Sequence, residues 1–315
     1  MVERSIAMEN VTVKRKMKVR KLASDKVFDV VNAIIMISLI ILVVVPLLYL
    51  IAMAFSDYRA NSDVTFIPLI VNDAGQIMPG ITFENFEFIL KYEDGLFLTS
   101  FKNTAIITVC VTFGSNILMA LAAYPLSKTN LPFRKGFLVF FIIVMLFSAG
   151  IVPSLILMNE FNLTNIVGLI LISLTNVFNL LLFKTTFEGI PKELEESAQL
   201  DGANPLQMFF KIIIPITIPT FASCCFFTLV GCINSYSGAL LFLNQNDTAN
   251  KPMALVLYEL MATIKTAGAS NTELALKAFN VQAAGIILSV IPILCVYPFI
   301  IRYIKTGVTL GSVKG

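Results

Sequence analysis

The sequence predicts an all-α membrane protein, a bundle of six membrane-spanning helices, on three observations. Hydrophobic residues make up 57% of the 315 and charged ones only 14%, and the mean hydropathy is +0.84, far from the balance of a water-soluble domain. The apolar residues fall into six runs, each long enough to cross about 30 Å of hydrocarbon as a helix rising about 1.5 Å per residue. The basic residues gather in alternate segments between those runs, as the positive-inside rule requires of a multi-pass chain.

The first run, 27–55, follows a polar segment, 1–26, that carries Arg4, Lys14, Arg15, Lys16, Lys18, Arg20, Lys21 and Lys26. A cleavable signal peptide is the rival reading, because Ala52-Met53-Ala54 resembles a cleavage site. The run is too long for the apolar region of a signal, so a retained anchor is expected. Five more runs follow at 102–125, 136–158, 165–186, 212–242 and 280–302. Pro215 and Pro219 near the start of the fifth, together with its length, predict a bent or tilted span or an added helix outside the membrane.

Six spans place both termini on one side. With that side cytoplasmic, the inner segments hold most of the 23 basic residues, and Arg59, Lys91, Lys102, Lys251, Lys265 and Lys277 fall outside or near the outer face. The expected organisation is a cytoplasmic basic segment, 1–26, a transmembrane domain, 27–304, and a cytoplasmic tail, 305–315. Of the two long outer segments, 56–101 contains the amphipathic stretch FENFEFIL and 243–279 contains the helical pattern LVLYELM. Loops of this length serve function or act as solvated connectors.

Composition excludes several kinds of chemistry. There is no histidine, the commonest general base and metal ligand, and no tryptophan. Cys110, Cys224, Cys225, Cys232 and Cys295 all sit in apolar runs without metal-site or disulfide-framework spacing. A net charge of +3 implies no nucleic-acid partner. Apart from residues at their edges, such as Lys102 and Lys184, the spans carry no Asp, Glu, Lys or Arg. That argues against a proton- or ion-coupled carrier, a self-sufficient channel or a membrane enzyme with paired carboxylates. The phosphate-cradling pattern GxxxxGK[ST] is absent, so a pump of this kind needs another subunit to hydrolyse nucleotide. What the spans offer is neutral polarity: Asn116, Ser148, Asn176, Asn179, Asn234, Ser235, Tyr236 and Gln282. Such groups line a pathway for a hydroxyl-rich solute, or they hydrogen-bond helices to each other.

Charge returns between the fourth and fifth runs, in FEGIPKELEESAQLDGANPLQMFFK at 187–211. Pro191 suits a first helical position, and Glu193, Glu195 and Glu196 complement the positive end of the helix dipole in the early turns. Gly202 can take the left-handed conformation that stops this helix. Asn204, Pro205 and Gln207 then supply a cap, a first-turn proline and a capping box for the next. The result is helix, sharp turn, helix, with small Ser197 and Ala198 able to enter a cleft on a partner while the acids meet donors at its rim.

The joint spacing of Glu196-Ser197-Ala198, Gly202 and Ile212-Ile213-Ile214-Pro215 resembles the signature loop of bacterial ATP-binding-cassette importer permeases: E-A-A, three residues, G, nine residues, I-x-L-P. Ser197 and Ile214 depart from it by small changes in size. EESAQLDGA at 195–203 is similar to the form found in carbohydrate-uptake permeases. The terminus GVTLGSVKG is similar to the tail of one subunit of maltose-type transporters, and Asn234 and Tyr236 match a WNxYxxAL-like segment in which Ile233 replaces Trp.

This resemblance implies an importer-type permease fold with a cytoplasmic coupling helix, in which Glu195, Glu196, Ser197, Ala198, Asp201, Gly202, Ala203 and Pro215 form the coupling loop. It implies a bacterial inner-membrane location and several partners: a second permease in a heterodimer, a cytoplasmic ATPase dimer, an extracytoplasmic solute-binding protein reached by 243–279, and a carbohydrate solute. It implies no catalytic residue, metal or cofactor in this chain, ATP and Mg being bound by the ATPase partners. Asn176, Asn179, Asn234, Ser235, Tyr236 and Gln282 are then the candidates for the substrate pathway.

Overall fold

The structure is a computed structural model, and it describes residues 23–60, 65–147, 150–243, 248–268 and 272–311. Most of the basic N-terminal segment, Ser148, the Asn-Gln-Asn-Asp stretch and the last four residues of the tail lie outside the described residues. The chain divides into two units at Tyr49. The first contributes the larger part of α1 (Ala23–Ala54), an apolar helix in which Pro46 is the single proline.

The second unit begins on the outer segment. A 3-10 turn (Tyr58–Ala60) precedes a two-stranded antiparallel hairpin, β1 (Leu69–Val71) and β2 (Ile77–Pro79), which the sequence pattern did not announce. The predicted amphipathic stretch forms α2 (Glu84–Lys91). Buried amides hold these pieces together. Asn85 Nδ2 donates to the carbonyls of Ala54 and Ser56, and Asn280 Nδ2 donates to Ser56 as well, at 2.8–2.9 Å. Burial pushes the Asp57 carboxyl up, but hydrogen bonds and charge from Arg59 outweigh it and hold the group below its ordinary value.

The apolar runs become helices in the expected places, with more breaks than predicted. α3 (Leu96–Ser127) is one long rod. The third run is split into α4 (Arg134–Leu146) and α5 (Ile151–Glu160), and the fourth into α6 (Ile166–Ser173) and α7 (Val177–Glu188), bent by 41°. Asn165 and Asn176 open α6 and α7 by accepting from the backbone N–H groups of Gly168 and Asn179, both at 3.1 Å.

After α8 (Lys192–Leu200), the fifth run departs most from a single span. α9 (Pro205–Met208), a π-helical turn (Phe209–Ile213) and α10 (Ile214–Ile216) lead to α11 (Ile218–Asn234) across an 81° bend. The bend falls on Thr217, between two prolines whose missing N–H groups each interrupt the backbone ladder. The π turn ends two residues before Pro215, and the Ile213 carbonyl accepts from both the Thr217 N–H at 3.1 Å and Thr217 Oγ1 at 2.8 Å. A second break at Ser235 and Tyr236 separates α12 (Ser237–Phe242). α13 (Met253–Gly268) and α14 (Thr272–Gly311) complete the chain. Among the described residues, three helices are long and apolar enough to cross a membrane alone, and up to six spans result if each bent pair counts as one.

α3 is the packing axis. It lies against α7 and α11, while α14 packs on α11 and α13. Where α3, α7 and α11 meet, Asn179 Nδ2 donates to Asn116 Oδ1 and Thr228 Oγ1, both at 3.0 Å, and Asn116 Nδ2 reaches Thr228 at 3.2 Å. Thr228→Val removes the shared acceptor, but each amide keeps a partner, because Asn116 also donates to the Thr112 carbonyl. The expected loss is about 1 kcal/mol, read as an earlier midpoint in detergent-titrated unfolding, with the helix content unchanged.

Candidate functional site

The 187–211 segment folds as a stiff hairpin whose stop and restart are set by local sequence. α8 ends in a paired-bond motif: Gly202 N–H donates to the Gln199 carbonyl and Ala203 N–H to the Ala198 carbonyl, both at 3.0 Å, with Gly202 at φ +81°. Two residues on, Asn204 Oδ1 accepts from Gln207 N–H at 2.8 Å, and the Gln207 side chain accepts from Asn204 N–H at 3.1 Å. This is the predicted capping box, with Pro205 in the first turn. Pro191 stands at the N-cap position of α8, one residue before the first helical one, without a side-chain capping bond.

Beneath the hairpin lies an aromatic cluster. Tyr124 meets Phe209 at 5.5 Å and Phe187 at 6.2 Å between ring centroids, and Phe183 meets Phe187 at 5.9 Å and Phe221 at 5.7 Å. Ala198 is buried with these rings. The small residue expected to admit a partner's surface therefore lets α8 sit closely on its own chain. Ser197 and Glu196 are exposed, and Leu200 is 90% exposed at the end of the helix. The exposed surface of α8 thus combines acids with two apolar groups, Leu200 and the less exposed Leu194.

Glu195 behaves differently from Glu196. Its carboxylate pairs with Lys128, the residue that closes α3, and its side chain is only 15% exposed. The Lys128 ammonium also lies 4.4 Å from the Tyr124 ring centroid, a cation–π contact. Arg134 ties the same corner down, donating from Nε to the Leu126 carbonyl at 2.8 Å and pairing with Glu188, which also holds Lys184 at 2.9 Å. Beside α8 a cavity of about 840 Å³ opens, lined by Tyr124, Lys128, Phe187, Glu195 and Gln199 among others. Sequence alone did not single out Lys128, Tyr124, Phe187 or Phe209 for this assembly, because their partners lie far along the chain.

The neutral polar candidates fall into two groups. Asn179 is 1% exposed in the interhelical network, and Asn176 caps α7 beside it. Tyr236 and Gln282 meet elsewhere, in a cavity of about 480 Å³ between α12, α13 and α14 that Tyr258 also lines. The Tyr236 and Tyr258 rings stack at 4.5 Å between centroids, 16° from parallel. Asn234 and Ser235 stand exposed at the break just before, where Asn234 Nδ2 donates to the Val230 carbonyl at 3.0 Å. The helical period of LVLYELM was the signal that could have placed Tyr258 on this wall.

At its outer-segment end, α3 is joined to the segment leading into α13. Asn103 Nδ2 donates to the carbonyls of Ala249 and Lys251 at 2.6 and 3.1 Å, and Thr104 Oγ1 accepts from Met253 N–H at 2.8 Å. One rigid helix therefore connects the corner that holds α8 with the segment that carries the tyrosine cavity.

Residues 117–310 match the family described as binding-protein-dependent transport system inner membrane component. The polygalacturonan/rhamnogalacturonan transport system permease protein YtcP of Bacillus subtilis is 30% identical over 296 residues, 92% of this chain and 99% of that protein. Protein LplC of the same organism is 31% identical over 298 residues, 93% of this chain and 96% of that protein. Among solved structures, a bacterial ABC transporter involved in the import of the acidic polysaccharide alginate has a chain similar at a TM-score of 0.73 and 29% identity, covering 90% of this chain and 98% of that one.

Proposed function

This chain belongs to the family of binding-protein-dependent transport system inner membrane components, and from that membership we propose that it is one of two paired permeases in an ATP-driven carbohydrate importer. It is a transport subunit and not an enzyme. The observation that carries the proposal is the hairpin at α8 and α9. A rigid, doubly capped element presents Glu196 and Leu200 outward while its inner side is fastened to α3 and α7.

In this reading the outward face docks in a groove of a cytoplasmic ATPase dimer, which binds ATP and Mg. Both termini of the permease are then cytoplasmic, as the distribution of basic residues requires. When the ATPase halves close, α8 cannot slide on its seat, because Ala198 is buried against the aromatic cluster and Glu195 is held by Lys128. The displacement passes into α3 and the helices packed on it as a rigid-body movement, which is the geometry alternating access needs. The solute-binding protein meets the opposite end, near the segment joined to α3 through Asn103 and Thr104. The solute is an oligosaccharide: the tyrosine cavity supplies ring faces and Gln282 an amide, the groups that bind sugars.

The test is ATP hydrolysis by liposomes holding the complete complex, screened over sugars with the binding protein present. Stimulation by a carbohydrate is expected, together with its entry into the lumen. Uptake by this polypeptide alone, with no ATPase associated, would refute the proposal.

A further inference from the structure

The cavity between α12, α13 and α14 combines features that a neutral-sugar site does not need. Along α13, Tyr258 and Lys265 lie seven residues apart, two turns on one face, and both line the cavity with Met261 between them. From α14, Gln282 and Ser289 line the same cavity, seven apart with Gly285 between; because Gly285 lies against Leu257, Gln282 falls on the Lys265 side of that contact and Ser289 on the far side. A side chain at Gly285 would meet Leu257 at 3.0 Å, so the glycine lets α13 and α14 approach closely and floors the space. Tyr236 and Tyr258 are about two-fifths exposed, at 40% and 43%, and their stacked pair forms a polarisable wall.

Charge on the lining is one-sided. Lys265 is its only ionisable cation, and among the described residues no carboxylate lines the cavity. The neighbouring Glu259 is engaged with Lys251 at 2.7 Å and is not part of the wall. A lone ammonium beside an aromatic wall, an amide and a hydroxyl suits a solute that carries both an apolar ring face and a carboxylate.

We propose that this cavity is a subsite for an acidic sugar residue, with the tyrosine pair against its ring, Gln282 on its hydroxyls and Lys265 on its carboxylate, while Ser289 at the far end meets the next sugar of the chain. The proposal rests on the importer reading and narrows its substrate to uronide-bearing oligosaccharides. The names of two similar proteins, an importer of alginate and a polygalacturonan transport permease, agree with that chemistry.

The test uses the complete complex in nanodiscs, titrated with trigalacturonate and, as the uncharged probe, maltotriose. Wild type is expected to bind trigalacturonate the more tightly. Lys265→Gln should weaken that binding roughly tenfold, the worth of one charge-assisted hydrogen bond, with little change for maltotriose, and Lys265→Arg should retain most of it. Tyr258→Leu should weaken both probes. Equal affinity of wild type and Lys265→Gln for trigalacturonate, or no binding of trigalacturonate at all, overturns the subsite. ATP hydrolysis stimulated by a neutral sugar alone also overturns it and leaves the importer reading standing, whereas a complex that answers to no solute refutes the importer reading itself.

Discussion

Gly202→Pro is expected to abolish solute uptake while the protein still inserts in the membrane. Proline fixes φ near −65°, whereas Gly202 sits at φ +81°. The substitution also deletes the N–H that donates to Gln199, and it displaces the neighbouring bond from Ala203 to Ala198. Together these bonds stop α8 and aim the chain at the capping box of α9, so losing them frees the hairpin from its shape. Insertion depends on the apolar helices, which the change does not touch. Gly202→Ala is the control: a Cβ there meets nothing within 4 Å, so only the left-handed backbone costs, about 1–2 kcal/mol, and partial uptake should survive. Glu196→Lys probes the same face by charge. Glu196 is exposed, so reversing it should leave the fold intact and still eliminate uptake if a partner's donors meet it. Wild-type uptake by Gly202→Pro or Glu196→Lys at normal expression would sink the coupling assignment.

The contrast between these residues and the rest of the site shows what a sequence exposes to reading. The stop at Gly202 and the restart at Asn204, Pro205 and Gln207 are built from neighbours within a few positions, so their chemistry is written locally. Apolar content likewise marked every membrane-length run. Pro215 and Pro219 announced a bend or an added helix in the fifth run, but hydropathy does not report backbone hydrogen bonding, so neither the 81° angle at Thr217 nor the π turn before it was legible. Pairings across the chain were the least legible. Glu195 and Glu196 are adjacent carboxylates in the sequence, yet one is closed against Lys128, 67 positions away, and the other faces outward. Tyr236, at the break between α11 and α12, finds Tyr258 on α13, a pairing between separate elements that no local pattern announces. Asn179 is polar for the sake of Asn116 and Thr228 on two other helices, which composition alone could not tell from polarity kept for a solute.

Reversing Lys128 to Glu is expected to cut solute-stimulated ATP hydrolysis and uptake by roughly tenfold or more, and the double exchange with Glu195→Lys is expected to restore a large part of both. In the single variant two carboxylates face each other at a site where the Glu195 side chain is 15% exposed and position 128 is 33% exposed, so water screens their repulsion only in part. The α8 helix then loses its tie to the end of α3 and must transmit movement through apolar contacts alone, a loss of about 1–3 kcal/mol at the seat. Restoring opposite charges in swapped positions rebuilds the tie. Recovery should be incomplete, because a carboxylate over the Tyr124 ring forfeits the cation–π contact that Lys128 makes at 4.4 Å. The swap also separates two roles for Glu195. If its carboxylate works by fastening α8 to α3, the exchanged pair works too; if it works by touching a cation of the ATPase, a lysine there repels the partner whatever stands at 128. Failure of the double exchange, with the complex assembled and basal ATP hydrolysis intact, would therefore transfer Glu195 from the internal clamp to the docking face and leave Ala198 and the aromatic cluster as the whole of the seat.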